Sequence, residues 1–229
     1  MSCEFLKILH INDNKLSAFP RKFFDFINLE ELDISNNLFV TMPHELHSFA
    51  NLRILNISFN RIENIIIENG MFNNMLKLNL SYNRITELSI FDNALQSLKN
   101  FVLTSNQITI IDKNIFNIPT LEKLELDGNR IELLPSNINN MRNRPLRINL
   151  YGNPLRSRLD EDLDNPELIS IEEVNRDILR NIRYGVIGTF QETDIEIIRR
   201  EYTNMNLNVK TYYEKLNIPA DERLNLEEI

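Results

Sequence analysis

The chain has a single cysteine, Cys3, among its 229 residues. That excludes an internal disulfide framework and any Cys-rich zinc site. With no base partner in view, Cys3 is not read as a nucleophile either. Five glycines leave little material for a glycine-rich phosphate loop, and no G-x-x-x-x-G-K-[ST] string occurs. Positive charge is in deficit: Lys+Arg 25 against Asp+Glu 33 gives a formal net charge of -8. Such a balance argues against an undirected nucleic-acid or anionic-membrane binder, whose surfaces are basic. No apolar run approaches the ~18 residues that suggest a membrane span. Met1 to His10 lacks a positive region followed by a long apolar stretch, so it does not read as a signal peptide. The expectation is an intracellular protein, cytoplasmic rather than nuclear.

Histidine is scarce too. The three copies include His44-Glu45-Leu46-His47, which is not the H-E-x-x-H of a metalloprotease and has no further ligands beside it. No metal, cofactor or catalytic residue is expected. Asn56-Ile57-Ser58 and Asn79-Leu80-Ser81 match the glycosylation string but read as accidents of an Asn-rich chain.

What the chain has in quantity is self-similarity. Leu6-x-x-Leu9-x-Ile11-x-x-Asn14-x-Leu16 recurs as Leu29-x-x-Leu32-x-Ile34-x-x-Asn37-x-Phe39. Further copies start at Leu52, Met75, Leu98 and Leu121, each 23 residues after the last. A weaker seventh copy starts one residue late, at Pro145, and carries Ile148, Leu150, Asn153 and Leu155.

Each part of the unit has a physical task. Counting its first leucine as offset 1, apolar residues at offsets 1, 4 and 6 bracket a short strand whose alternate side chains enter a common core. Offset 9 is asparagine in every copy: Asn14, Asn37, Asn60, Asn83, Asn106, Asn129 and Asn153. Backbone groups left unpaired where the chain turns off the strand cost roughly 1–3 kcal/mol each. A short amide, with donors and an acceptor, satisfies them, so these residues read as a structural ladder. Phe19-Pro20, Met42-Pro43 and Leu134-Pro135 share an apolar-Pro step on the return path, where no ladder N–H is needed. No unit buries its apolar side alone, so neighbours must stack into a solenoid.

The pattern L-x-x-L-x-L-x-x-N-x-[LI]-x-x-[LI]-P resembles the leucine-rich repeats, and its 23-residue length is similar to their intracellular Ras-group subclass. The resemblance covers residues 6–155 and ends on Leu150-Tyr151-Gly152-Asn153-Pro154-Leu155, which looks like a terminal repeat. It implies an α/β fold: a right-handed horseshoe with a parallel sheet on its concave face and a role in binding other proteins. Small GTPases and phosphatase subunits are the partner classes it suggests. The third to fifth copies depart from the pattern, with Ile66, Ser89 and Asp112 where proline stands elsewhere.

Both ends differ from the middle. The first repeat starts too early for a long polar cap, so Met1 to Phe5 is expected to form a short cover or the edge to meet a partner. After Leu155, Pro166 opens a segment in which Leu168, Ile171, Val174, Ile178 and Ile182 follow helical spacing up to Gly185. Two more helices are expected, from Thr193 with its Thr193-x-x-Glu196 capping pattern and around Val209, Tyr212, Tyr213 and Leu216. The organisation is thus a repeat domain over 1–155, a helical cap over 156–185 and an acidic helical tail over 186–229 with a loose end. From Arg156 onward there are ten basic and seventeen acidic residues, or -7, which leaves 15 and 16, or -1, in residues 1–155. The acidity belongs to the tail.

Candidate binding residues are those that point to or rim the concave face. Offset 8 sets Phe59 beside Tyr82, and offset 10 aligns Arg61, Arg84 and Arg130. Aromatics flanked by arginines are enriched at protein-binding hot spots, although the same residues could pad a loop edge and a solvated rim. Asn56, Asn79, Lys77, Lys123 and Glu125 complete the candidate set on offsets 3 and 5. The reading is a non-catalytic scaffold or regulator that buries a partner protein against the concave sheet, with no nucleic acid and no membrane span. Two alternatives stay open: chemistry in the tail, which has neither Cys nor His to serve as a nucleophile, and a homo-oligomer formed through the N-terminal edge.

Overall fold

A computed structural model describes residues 5–19, 26–141, 144–159 and 165–184. All of them lie in one compact unit, Met1–Gly185. The second and third helices expected in the tail fall outside the described residues, as does part of the charge counted from Arg156 onward.

Eight strands form one parallel sheet in chain order: Ile8–His10, Glu31–Asp33, Ile54–Asn56, Lys77–Asn79, Asn100–Val102, Lys123–Glu125, Arg147–Asn149 and Ile182–Arg183. The register follows the repeat, with Leu9 opposite Leu32, Leu32 opposite Leu55 and Leu55 opposite Leu78. Each strand has only three residues or fewer, so the central side chain points inward and its two flanking ones point out. Leu32, Leu55, Leu78, Phe101 and Leu124 are completely buried, as are Ile34, Ile57, Leu80, Leu103 and Leu126 two residues on. Burying a side chain of this kind contributes about 1.5–3 kcal/mol. Stacked over successive repeats, these columns are the core.

Behind the sheet the return path takes two forms. Where the second and sixth copies carry proline, short 3-10 turns form at His44–Ser48 and Ser136–Met141. In the third and fourth copies, which lack it, Asn64–Ile67 and Glu87–Ile90 pair instead as parallel strands, with Ile66 opposite Ser89. The β-branched run Ile65-Ile66-Ile67 favours that extended path, and no ring removes a ladder N–H. The fifth copy restores a 3-10 turn at Lys113–Asn117 with a different device: Asp112 accepts from the Asn114 N–H at 2.8 Å and from the Ile90 N–H at 2.8 Å. The cap replaces the proline.

The single helix expected from Pro166 to Gly185 does not form. Leu168–Ile169 is a strand antiparallel to Leu134–Pro135, followed by a 3-10 turn at Ile171–Glu173 and one α-helical turn at Arg176–Leu179. Ile182–Arg183 then joins the main sheet beside Arg147–Asn149. Apolar residues three or four apart fit successive turns as well as a helix, and here the open sheet edge offers hydrogen bonds that a helix could not accept. The segment still covers the last repeat, since Val174, Ile178 and Ile182 join the core and Ile171 packs against it, with Ile169 taking the buried place expected of Leu168. Arg144 helps: its guanidinium donates to the carbonyl oxygens of Phe116 and Ile118, and burial lowers its pKa. At the other end Phe5 is 91% exposed and forms no lid, while residues 1–4 lie outside the described range.

Candidate protein-binding surface

The offset-9 asparagines show what holds each loop. Asn60 is fully buried. Its Oδ1 accepts from the Phe39 N–H of the preceding repeat at 3.0 Å, while Nδ2 donates to Ile34, Ile57 and Ser58 carbonyls at 3.0, 3.2 and 3.1 Å. Asn37, Asn83, Asn106 and Asn129 repeat that pattern. Asn153 does so too, accepting from Ile131 at 3.0 Å. Among the described residues, Asn14 donates to Ile11 and Asn12 in its own loop and to no other repeat.

A second ladder lies beside it. Ser58 donates its hydroxyl to Asn56 Oδ1 at 2.8 Å and its N–H at 3.3 Å; Ser81 does the same to Asn79 at 2.7 and 3.1 Å. Ser35 binds Asp33 likewise, and Asn56 Nδ2 donates to Asp33 Oδ2 at 3.0 Å. These are turns in which a side-chain oxygen caps the backbone two residues on. Asn56 and Asn79, half-buried and engaged in this way, work first as turn formers. Their Ser partners at offset 7 are the signal the sequence reading missed; the spacing N-x-S recorded a turn. In the sixth copy Asp127 takes that place, accepting from Thr104 Oγ1 at 2.7 Å. Burial, with Glu125 nearby, pushes its carboxyl pKa up despite the Thr104 bond.

Offset 8 has a property that sequence spacing could not reveal. Asp13, Asn36, Phe59, Tyr82, Ser105, Gly128 and Gly152 all have φ between 53° and 70°. The left-handed turn lets each N–H continue the inter-repeat ladder, as in Phe59 to the Ser81 carbonyl at 3.0 Å and Tyr82 to Thr104 at 2.9 Å. Asn, Asp and Gly suit such a position, while bulky side chains there are outliers that cost on the order of 1–3 kcal/mol each. Phe59 and Tyr82 nevertheless occupy it, half-buried and stacked with ring centroids 4.4 Å apart and planes 11° from parallel. The stack returns ~0.5–1.5 kcal/mol beyond what half-burial of the two rings contributes.

The arginines follow the rings along the same edge. Arg61, Arg84 and Arg130 each give their N–H to the preceding repeat, with Arg61 and Arg84 half-buried and Arg130 exposed. Lys77, Lys123 and Glu125 stand on the inner face instead, where Lys123 Nζ meets Glu125 Oε1 at 2.5 Å. Between Glu31, Asp33, Ile54, Asn56, Lys77 and Asn79 that face holds a shallow hollow of 160 Å³. The structure therefore separates the candidates into an aromatic-arginine edge and a charged inner face.

A leucine-rich repeat family model matches residues 5–62, and a second one matches residues 120–141. Together with the register and the asparagine ladder, these matches identify the repeat. The chain carries leucine-rich repeats. Its backbone is similar to that of a leucine-rich repeat protein of Leptospira interrogans, with a TM-score of 0.53 and 24% identity. The likeness covers 85% of this chain and 58% of that one, and it speaks for the fold alone. The leucine-rich repeat chain thus spans little more than half of that structure's length. No curated protein matches it in sequence. Among the described residues, no helix is long and apolar enough to cross a membrane. No group of three or more His, Cys, Asp and Glu side chains is placed to hold a metal among them either.

Proposed function

We propose that this leucine-rich repeat protein is a non-catalytic interaction module inside the cell, in which Phe59 and Tyr82 anchor a partner protein while Arg61, Arg84 and Arg130 set its register. Leucine-rich repeat domains generally mediate protein–protein interaction. The observation that carries the specific reading is the strained stack. Two aromatics are kept half-exposed at left-handed positions that Asn36 and Gly128 fill without penalty. Buried aromatic and arginine anchors supply most of the affinity at interfaces. The small GTPase and phosphatase classes suggested by the Ras-group resemblance are partner candidates on that basis only.

A photo-reactive amino acid placed at position 59 or 82 in cells should cross-link one dominant partner, which mass spectrometry then identifies. The double variant Phe59→Ala, Tyr82→Ala should weaken binding of that partner by about 30-fold or more, the size of a hot-spot loss. Its thermal melt should stay cooperative. Undiminished affinity would remove the aromatic pair from the interface.

A further inference from the structure

The inner face is electrically polar along the solenoid. At the second repeat it presents Glu31 and Asp33, and towards the other end Lys77, Lys123, Arg147 and Arg183, with Glu125 paired to Lys123 among them, so that end keeps a net positive charge. These four cations are all exposed. Arg183 lies over the Tyr151 ring, 5.3 Å from its centroid, which holds it upright at the last strand. Spacing between the cations is set by the sheet. Adjacent strands lie about 4.8 Å apart, so two strand steps separate Lys77 from Lys123 by roughly 10 Å and a single step leads on to Arg147, while Arg183 stands opposite Asn149, two residues further along its strand and beside that column.

An α-helix rises 5.4 Å per turn, close to one strand step, and seven residues rise roughly 10.5 Å. A helix laid across the strands therefore places about one turn over each repeat. An extended segment advances ~6.8 Å between side chains on one face and falls out of step at once. Helix polarity adds a direction: its N-terminal N–H groups are positive and its C-terminal carbonyls negative. The match to this face puts the N-terminus over Glu31 and Asp33 and the C-terminus over Arg147, beside Arg183.

We infer that the inner face receives an acidic α-helix of the partner, running along the sheet from the second repeat to the seventh strand, with carboxylates at i, i+7 and i+11 over Lys77, Lys123 and Arg147 and its C-terminal end beside Arg183. This rests on the reading of the protein as an interaction module and adds the chemistry of what it holds. The aromatic edge lies alongside, so a helix seated here brings its flank to Phe59 and Tyr82.

The test uses the full chain and two fluorescein-labelled, alanine-rich helical peptides of equal composition. One carries Glu at i, i+7 and i+11; the other has the three Glu scattered round the helix. Fluorescence anisotropy should give the in-phase peptide about tenfold tighter binding, weakening as salt is raised from about 0.05 to 0.3 M. Lys77→Glu should weaken the in-phase peptide by about fivefold, and a peptide with Lys at position i should recover that loss on the variant. Equal binding of the two peptides, no binding by either, or failure of the charge swap overturns the helix. If the peptides fail while Phe59→Ala, Tyr82→Ala still releases the cross-linked partner, only the helix falls. If the peptides discriminate and the aromatic variant changes nothing, the anchor reading falls instead.

Discussion

The first repeat and the third carry the same residue types in the same register, yet they are held to different degrees. Leu55 and Asn60 are fully buried, whereas Leu9 is half-buried, Asn14 is exposed and Ile8 is 57% exposed. Among the described residues Asn60 makes four hydrogen bonds, two of them to the repeat before it, and Asn14 makes two, both within its own loop. Identical sequence therefore does not mean identical contribution. The repeat motif states what a residue can do, and its neighbours decide how much of that is realised.

The largest effect should come from breaking that contrast directly. Asn60→Ala leaves the buried Phe39 N–H and the Ile34 and Ile57 carbonyls without their partner, at about 3 kcal/mol or more in total. Asn14→Ala should cost less than ~0.5 kcal/mol, as for an exposed surface change. Urea midpoints of the two variants measure this; equal shifts would mean that the end repeat is as well supported as the middle.

A second contrast sets Ser58 against Asp127, which occupy the same place in the third and sixth repeats. Burial raises the Asp127 pKa, with Glu125 adding to it, so the folded state holds this proton more tightly than the unfolded chain. Stability contributed by the protonated form is present below the ordinary aspartate range, near ~3.9, and is lost as pH rises through the raised folded value. At neutral pH the charged form is the penalised one. Asp127→Asn should therefore raise the urea midpoint at neutral pH, and its advantage should shrink on acidification. A midpoint that falls at neutral pH would place Asp127 among the stabilising residues.

The smallest effect separates stability from recognition. Replacing Phe59 and Tyr82 together by Asn, the residue at position 36, relieves two left-handed penalties and gives up one stack. A gain of ~0.5–1 kcal/mol is expected. A cooperative melt that moves up with this double variant supports an aromatic pair kept for contact; a clear drop would recast it as packing for the loop edge.

The sequence declared the features that depend on one repeat and its copy. Residues at offsets 4 and 6 and the asparagines at offset 9 recur at 23-residue steps, and the sheet register Glu31 to Ile54 to Lys77 keeps that step. Less legible were the features that need three dimensions. Ser58 and Ser81 lock the Asn56 and Asn79 turns through side-chain bonds that look like a modification string. The left-handed turn at Phe59 and Tyr82 is invisible because its usual markers, Gly and Asn, are absent there. Beyond the last repeat, 34 residues separate Ile148 from its partner Ile182. Apolar spacing alone could not distinguish a helix from a chain that doubles back to complete a sheet.

The asparagine ladder has a consequence for how the protein is made. Each amide serves the loop that precedes it in the chain, so a repeat leaves the ribosome with its own turn incomplete until the next asparagine arrives. At roughly 5–20 residues per second, a 23-residue step means a wait of about one to five seconds. Dependence runs backwards along the chain while synthesis runs forwards. A growing solenoid of this kind always carries one unfinished turn at its leading edge.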